Sequence, residues 1–161
     1  MMATMRIRIH AVQLPGRIFA SGASADGGPT EYRDIHVAVQ RRDRRDELLD
    51  LHPGDAPFAT WTLECTATAS PNGVDVRGPY VQGRPGGRFI YLSWGAVDGA
   101  GTFTMFRRAK LMLDAVPTDV LDAAARTGLL LGRLGLTDAC GGPLCARVVP
   151  PAVTWTAEPA D

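Results

Sequence analysis

The sequence predicts a β-dominated α+β domain: an antiparallel β-sandwich or open barrel with one short helix near residues 119–127. Three observations carry that prediction. Several short segments alternate apolar and polar residues with the period of two that a half-buried strand requires. Clusters of Gly and Pro recur between them as turns. One segment, from Pro117 to Gly128, carries a full set of helix start and stop signals.

Taken in order, residues 6–12 alternate strictly, so Ile7, Ile9 and Ala11 would face a core with Arg6, Arg8 and His10 opposite. Pro15-Gly16 ends that strand, and the small, polar residues 20–30 read as a loop. Ile35 to Gln40 alternates again, with Ile35, Val37 and Val39 inward. Residues 41–46 mix both signs of charge and read as a solvated connector, because opposite charges this close cancel at a distance. Beyond Pro53, Gly54 and Pro57, the run Thr60 to Thr68 places Trp61, Leu63, Cys65 and Ala67 on one face.

Pro85-Gly86-Gly87 lies between two β-forming stretches, Val74 to Val81 and Phe89 to Trp94, and predicts a hairpin of the two. Asp98 to Gly101 forms the next turn, and Phe103 to Leu113 returns as a long strand. A helix is the competing assignment there, since Arg107, Lys110 and Met112 all tolerate one. The helix at 119–127 follows from Thr118 as N-cap after Pro117, and from Asp119 and Asp122 near the positive end of its dipole. Val120, Leu121, Ala124 and Ala125 supply its apolar stripe, and Gly128 stops it. Leu129 to Leu136 and Leu144 to Val149 flank Cys140 to Pro143 as a second candidate hairpin, before a short edge strand at Val153-Thr154-Trp155.

At 161 residues the chain is read as a single domain, 1–161, large enough for a core without staples. Its 17 basic and 17 acidic residues leave no net charge, so neither nucleic acid nor an acidic membrane is expected as a partner. No apolar run approaches the roughly 20 residues of a membrane span, and the alternating N-terminus does not resemble a signal peptide. Three cysteines form an odd set, which argues against a secreted disulfide framework and for the cytoplasm. Lys110 is the single lysine among the basic residues, a pattern of GC-rich codon usage such as an actinobacterium shows.

The strand Arg88 to Gly95 is apolar on both faces, with Phe89 and Tyr91 on one and Ile90, Leu92 and Trp94 on the other, so it is covered twice. The helix is the plain candidate for the second cover; a cavity reached by Tyr91, Ser93 and Trp94 is the functional one. Arg77, Arg84 and Arg88 fall near the ends of the expected hairpin, with Arg107 and Arg108 on a neighbouring strand. If three converge they form forks for a carboxylate or phosphate; otherwise they guard exposed strands. Tyr80 would be a hydrogen-bonding neighbour of such a site.

His36, with Asp34 two residues before it, is the acid–base candidate, although surface histidines are the plainer reading. No His or Cys spacing matches a metal site, and no cofactor motif is present. Cys140 and Cys145 could approach across a hairpin or stay apart as thiols. Ser93 lacks the Gly-x-Ser-x-Gly context of a hydrolase nucleophile.

The segments Gly78 to Gly86, Phe89 to Gly95, Met105 to Leu111, Gly132 to Asp138 and Gly141 to Ala146 resemble a family of small actinobacterial proteins catalogued only as a domain of unknown function. The likeness runs from about Arg6 to Trp155. It implies one complete domain and brings no reaction, cofactor or catalytic residue with it. A weaker likeness, through Leu14-Pro15 and Pro57 to Trp61, is to calcium-dependent lipid-binding sandwiches of the C2 type. Asp26, Asp55 and Asp98 are isolated here, so no calcium site is expected.

The leading expectation is therefore a cytoplasmic, β-rich module that binds a small anionic organic ligand. Tyr91 and Trp94 would line the cavity, with Arg77, Arg84, Arg88, Arg107 or Arg108 on the anion. Two other classes stand beside it: a cofactor-independent isomerase or cyclase using the same cavity with His36 and Asp34, and a protein-interaction module using the sheet edge and residues 41–46. Pairing with a second copy of the chain is open under all three.

Overall fold

In chain order the strands are β1 (Met2–Gln13), β2 (Ile18–Ala23), β3 (Pro29–Tyr32), β4 (His36–Gln40), β5 (Asp46–Leu48) and β6 (Asp50–His52). They continue as β7 (Phe58–Ser70), β8 (Gly73–Arg77), β9 (Phe89–Val97) and β10 (Phe103–Met112). A 3₁₀ turn (Leu113–Ala115) and the helix α1 (Thr118–Thr127) follow, then β11 (Gly128–Leu136) and β12 (Val153–Pro159). This computed structural model describes residues 2–13, 18–23, 29–32, 36–52, 58–84, 87–97, 100, 103–136 and 152–160.

The larger sheet runs β12-β11-β1-β7-β6, with β8 also paired to β7. The smaller runs β10-β9-β4-β5, and β2 and β3 form a separate ribbon. The alternation of β1 works as its sequence demands: Met5, Ile7 and Ile9 are fully buried on one face, while Arg6 and Arg8 meet Glu64 and Thr62 on the other. Leu63, Cys65 and Ala67 of β7 and Leu130 and Leu134 of β11 join that inner face. Opposite them stand Val37, Val39, Ile90, Leu92, Trp94 and Leu111 of the smaller sheet, in one continuous apolar cluster. Each fully buried Ile or Leu in it contributes on the order of 1.5–3 kcal/mol. Two sheets sharing one core make a β-sandwich with no closed barrel among the described residues. One pair departs from the antiparallel pattern, since β1 and β11 run parallel.

Gly128 ends α1 in the left-handed conformation (φ 100°) that glycine adopts without strain. At the other end the N-cap is Pro117, with no side-chain cap, so Thr118 is the first helical residue and not the cap. The helix packs mainly against β12, β11, β8 and β1, with Ala124 in the core. It therefore lies on the larger sheet and is not the second cover of β9.

The hairpin expected between Val74–Val81 and Phe89–Trp94 does not form. Instead β8 turns back onto β7 through Pro71-Asn72, where Ser70 Oγ donates to the Gly73 carbonyl (3.0 Å) and accepts from the Asn72 N–H (3.2 Å). β9 pairs with β10 and β4 in the other sheet. Among the described residues only the bridge between Gln82 and Phe89 remains of the expected ladder, so the chain crosses from one sheet to the other between β8 and β9. The stretch 20–30, expected as a loop, contains parts of β2 and β3. The second candidate hairpin falls partly on residues 137–151, outside the described set.

Candidate functional site

The crossing and the loop between β4 and β5 lie together. The Arg42 N–H donates to the Pro79 carbonyl (2.8 Å), and Gln82 Nε2 donates to the Gln40 carbonyl (3.3 Å). Between them is a pocket of about 210 Å³ lined by Arg42, Arg77, Arg84 and Arg88, with Val76 and Val81 as its apolar part. Both valines are buried, so the apolar wall belongs to the core and holds its shape.

The four arginines are held unequally. Asp75 Oδ2 accepts from Arg77 Nε (2.9 Å), and Asp75 Oδ1 meets Arg88 Nη1, so one carboxylate fixes two guanidinium groups. The Arg88 side chain is 11% exposed and that of Arg77 71%, which makes Arg88 the anchored member and Arg77 the outer one. The backbone of Arg88 is held as well: its N–H donates to Asp114 Oδ2 (2.7 Å) and its carbonyl accepts from the Leu113 N–H (3.0 Å). Arg42 and Arg84 form no ion pair among the described residues. Within the β4–β5 loop, Asp43 is taken by Arg41 (3.5 Å) and Arg45 (3.8 Å). Cationic forks over an apolar wall can hold an oxyanion attached to a small carbon body.

The sequence-derived candidates divide. Arg77, Arg84 and Arg88 share the pocket. Arg108 lies elsewhere, over the Tyr91 ring (5.8 Å), with Lys110 also near that ring (5.4 Å) and over Phe89 (4.5 Å). Arg107 pairs with Trp94 in register, and its side chain lies outside the described set. Tyr91 and Trp94 do not share a cavity, since strand alternation sends them to opposite faces. Trp94 is buried in the core, while Tyr91 is half-buried with its ring edge-to-face on Phe89 (4.7 Å).

Tyr80 packs its ring edge-on against Trp61 (4.3 Å) beneath Arg41. Burial, reinforced by a hydrogen bond with Glu47, pushes its hydroxyl up to about 12, so it is a neutral donor beside the pocket loop. His36 opens β4, four residues from Gln40 and thus about 13 Å along the strand from the pocket end. Asp34 lies outside the described residues.

Arg42 was not legible as a site residue, because its place depends on a backbone contact 37 positions away at Pro79. Val76 and Val81 carried no distinguishing signal either. Elsewhere, burial raises the Cys65 thiol to about 12, which leaves it inert. Among the described residues no cluster of His, Cys, Asp or Glu could hold a metal ion, and no helix is long and apolar enough to cross a membrane.

A sequence model for a family described as a family of unknown function (DUF5990) matches residues 5–158. No curated protein and no solved structure matches the chain.

Proposed function

The chain belongs to the family of unknown function DUF5990, and from the pocket's own chemistry we propose that it is a binding protein for a small organic anion. The observation that carries this reading is the convergence of Arg42, Arg77, Arg84 and Arg88 on one volume, with Asp75 paired to Arg77 and Arg88 alone. Like charges are brought together at a cost unless something of opposite sign completes them. The volume of about 210 Å³ falls below the roughly 300 Å³ at which pockets for drug-sized ligands begin, which suits a small ligand. Tyr91, Trp94, Arg107 and Arg108 are not part of this reading. We also place the protein in the cytoplasm of an actinobacterium, on its odd cysteine count, the free buried Cys65 thiol and its near-absence of lysine.

Native mass spectrometry after exposure to a metabolite extract tests the binding reading. A discrete added mass is expected on the wild type and not on the Arg42→Ala/Arg84→Ala double variant. Both side chains are exposed and outside the ion pairs that order the pocket, so the variant keeps its fold. An unadorned mass for the wild type, or an adduct that survives in the variant, overturns it.

A further inference from the structure

The charge around the pocket suits a dianion. Four guanidinium groups line it and one carboxylate, Asp75, is paired with two of them, so positive charge remains in excess of what a single negative charge would balance. One arginine fork satisfies a planar carboxylate, whereas here guanidinium groups come from three stretches of chain: the β4–β5 loop, the end of β8 and the crossing that leads into β9. A tetrahedral anion offers oxygens in as many directions. Asp75 adds the geometry. By engaging Arg77 Nε and Arg88 Nη1 it holds those two groups beside each other while leaving further N–H donors on each.

We propose that the ligand is a small phosphomonoester, its dianionic head held by Arg42, Arg77, Arg84 and Arg88 and its carbon part against Val76 and Val81. This rests on the anion-binding reading above and sharpens it. A phosphomonoester loses its second proton near pH 6, and arginine stays charged throughout that range. No histidine lines the pocket; its charged lining is the four arginines, with Asp75 paired to Arg77 and Arg88 and Asp114 accepting from the Arg88 N–H behind them. Selective binding of the dianion therefore strengthens about tenfold between pH 5 and pH 7.

The test is isothermal titration at low salt with glycerol phosphate, sulfate and oxalate, at pH 5 and pH 7. Sulfate and oxalate keep both charges across that range, so they report any titration of the protein itself. Glycerol phosphate is expected to bind about tenfold tighter at pH 7 than at pH 5, with sulfate unchanged. At pH 7 it should also exceed oxalate by tenfold or more. In the Arg42→Ala/Arg84→Ala variant its affinity should fall at least tenfold, since two charge-assisted donors are lost. If oxalate binds as tightly as glycerol phosphate at pH 7, or the pH rise is missing, the phosphate assignment fails while the anion pocket stands. If none of the three binds, or binding is unchanged in the double variant, the pocket reading fails with it.

Discussion

Gly132 and Trp155 show how closely single residues are fitted in the larger sheet. They face each other across β11 and β12, and a Cβ at Gly132 would sit 2.6 Å from the Trp155 ring. The indole takes the room that the missing side chain leaves, and its rigid ring has no flexible end to move aside. Gly132→Ala is expected to cost about 1–3 kcal/mol through this overpacking, read as a lower urea midpoint with an unchanged slope. Full wild-type stability would mean that the ring can move off the strand. At the pocket, Asp75 matters in another way: it is the counter-charge to a nearly buried Arg88, so it supports the fold as well as the site.

Among the elements, β1, β6 and β7 meet in a ring cluster on the outer face of the larger sheet. His52 stacks on Phe58 (4.4 Å), and His10 lies against the same ring (4.9 Å). Burial, then the charges of Arg133 and His52, hold His10 below its usual 6.5. A group depressed in the fold takes its proton first in the unfolded chain, so acid favours unfolding. Stability should therefore be intact above pH 6.5 and fall as the pH drops below it. Arg133→Gln, which removes the second cause, should flatten that fall in urea unfolding at pH 7 and pH 5; an identical slope would refute the coupling. The strands β1 and β7 were legible because each alternates with a period of two that sequence alone carries, whereas β10 was legible only from the turn before it, with a helix competing. The pairing partner of β8 was misjudged because two turns competed for it. Asn72-Gly73, a strong hairpin signal, lies nearer than Pro85-Gly86-Gly87 and closes the shorter loop. Three of the pocket arginines were legible as a group, but their meeting with Arg42 depends on two sheets coming together, which no local pattern encodes.

At the scale of the whole molecule, the pocket sits where the chain passes from one sheet to the other, so its arginines are gathered by the folding of both. Unliganded, they repel each other, and salt should relieve that strain. Raising the ionic strength from low to about 0.3 M is expected to stabilise the wild type over the Arg42→Ala/Arg84→Ala variant by roughly 1 kcal/mol, or about 2–4 °C in Tm. Equal shifts would mean that the guanidinium groups do not interact. The parallel pairing of β1 with β11 has a separate consequence, for synthesis. Ile7 leaves the ribosome 123 residues before its neighbour on that side, Leu130. At roughly 5–20 residues per second, β1 waits many seconds with one edge unmatched. The larger sheet thus closes only once β11 has been made, and a nascent chain stalled before Gly128 would display an open strand edge to its neighbours.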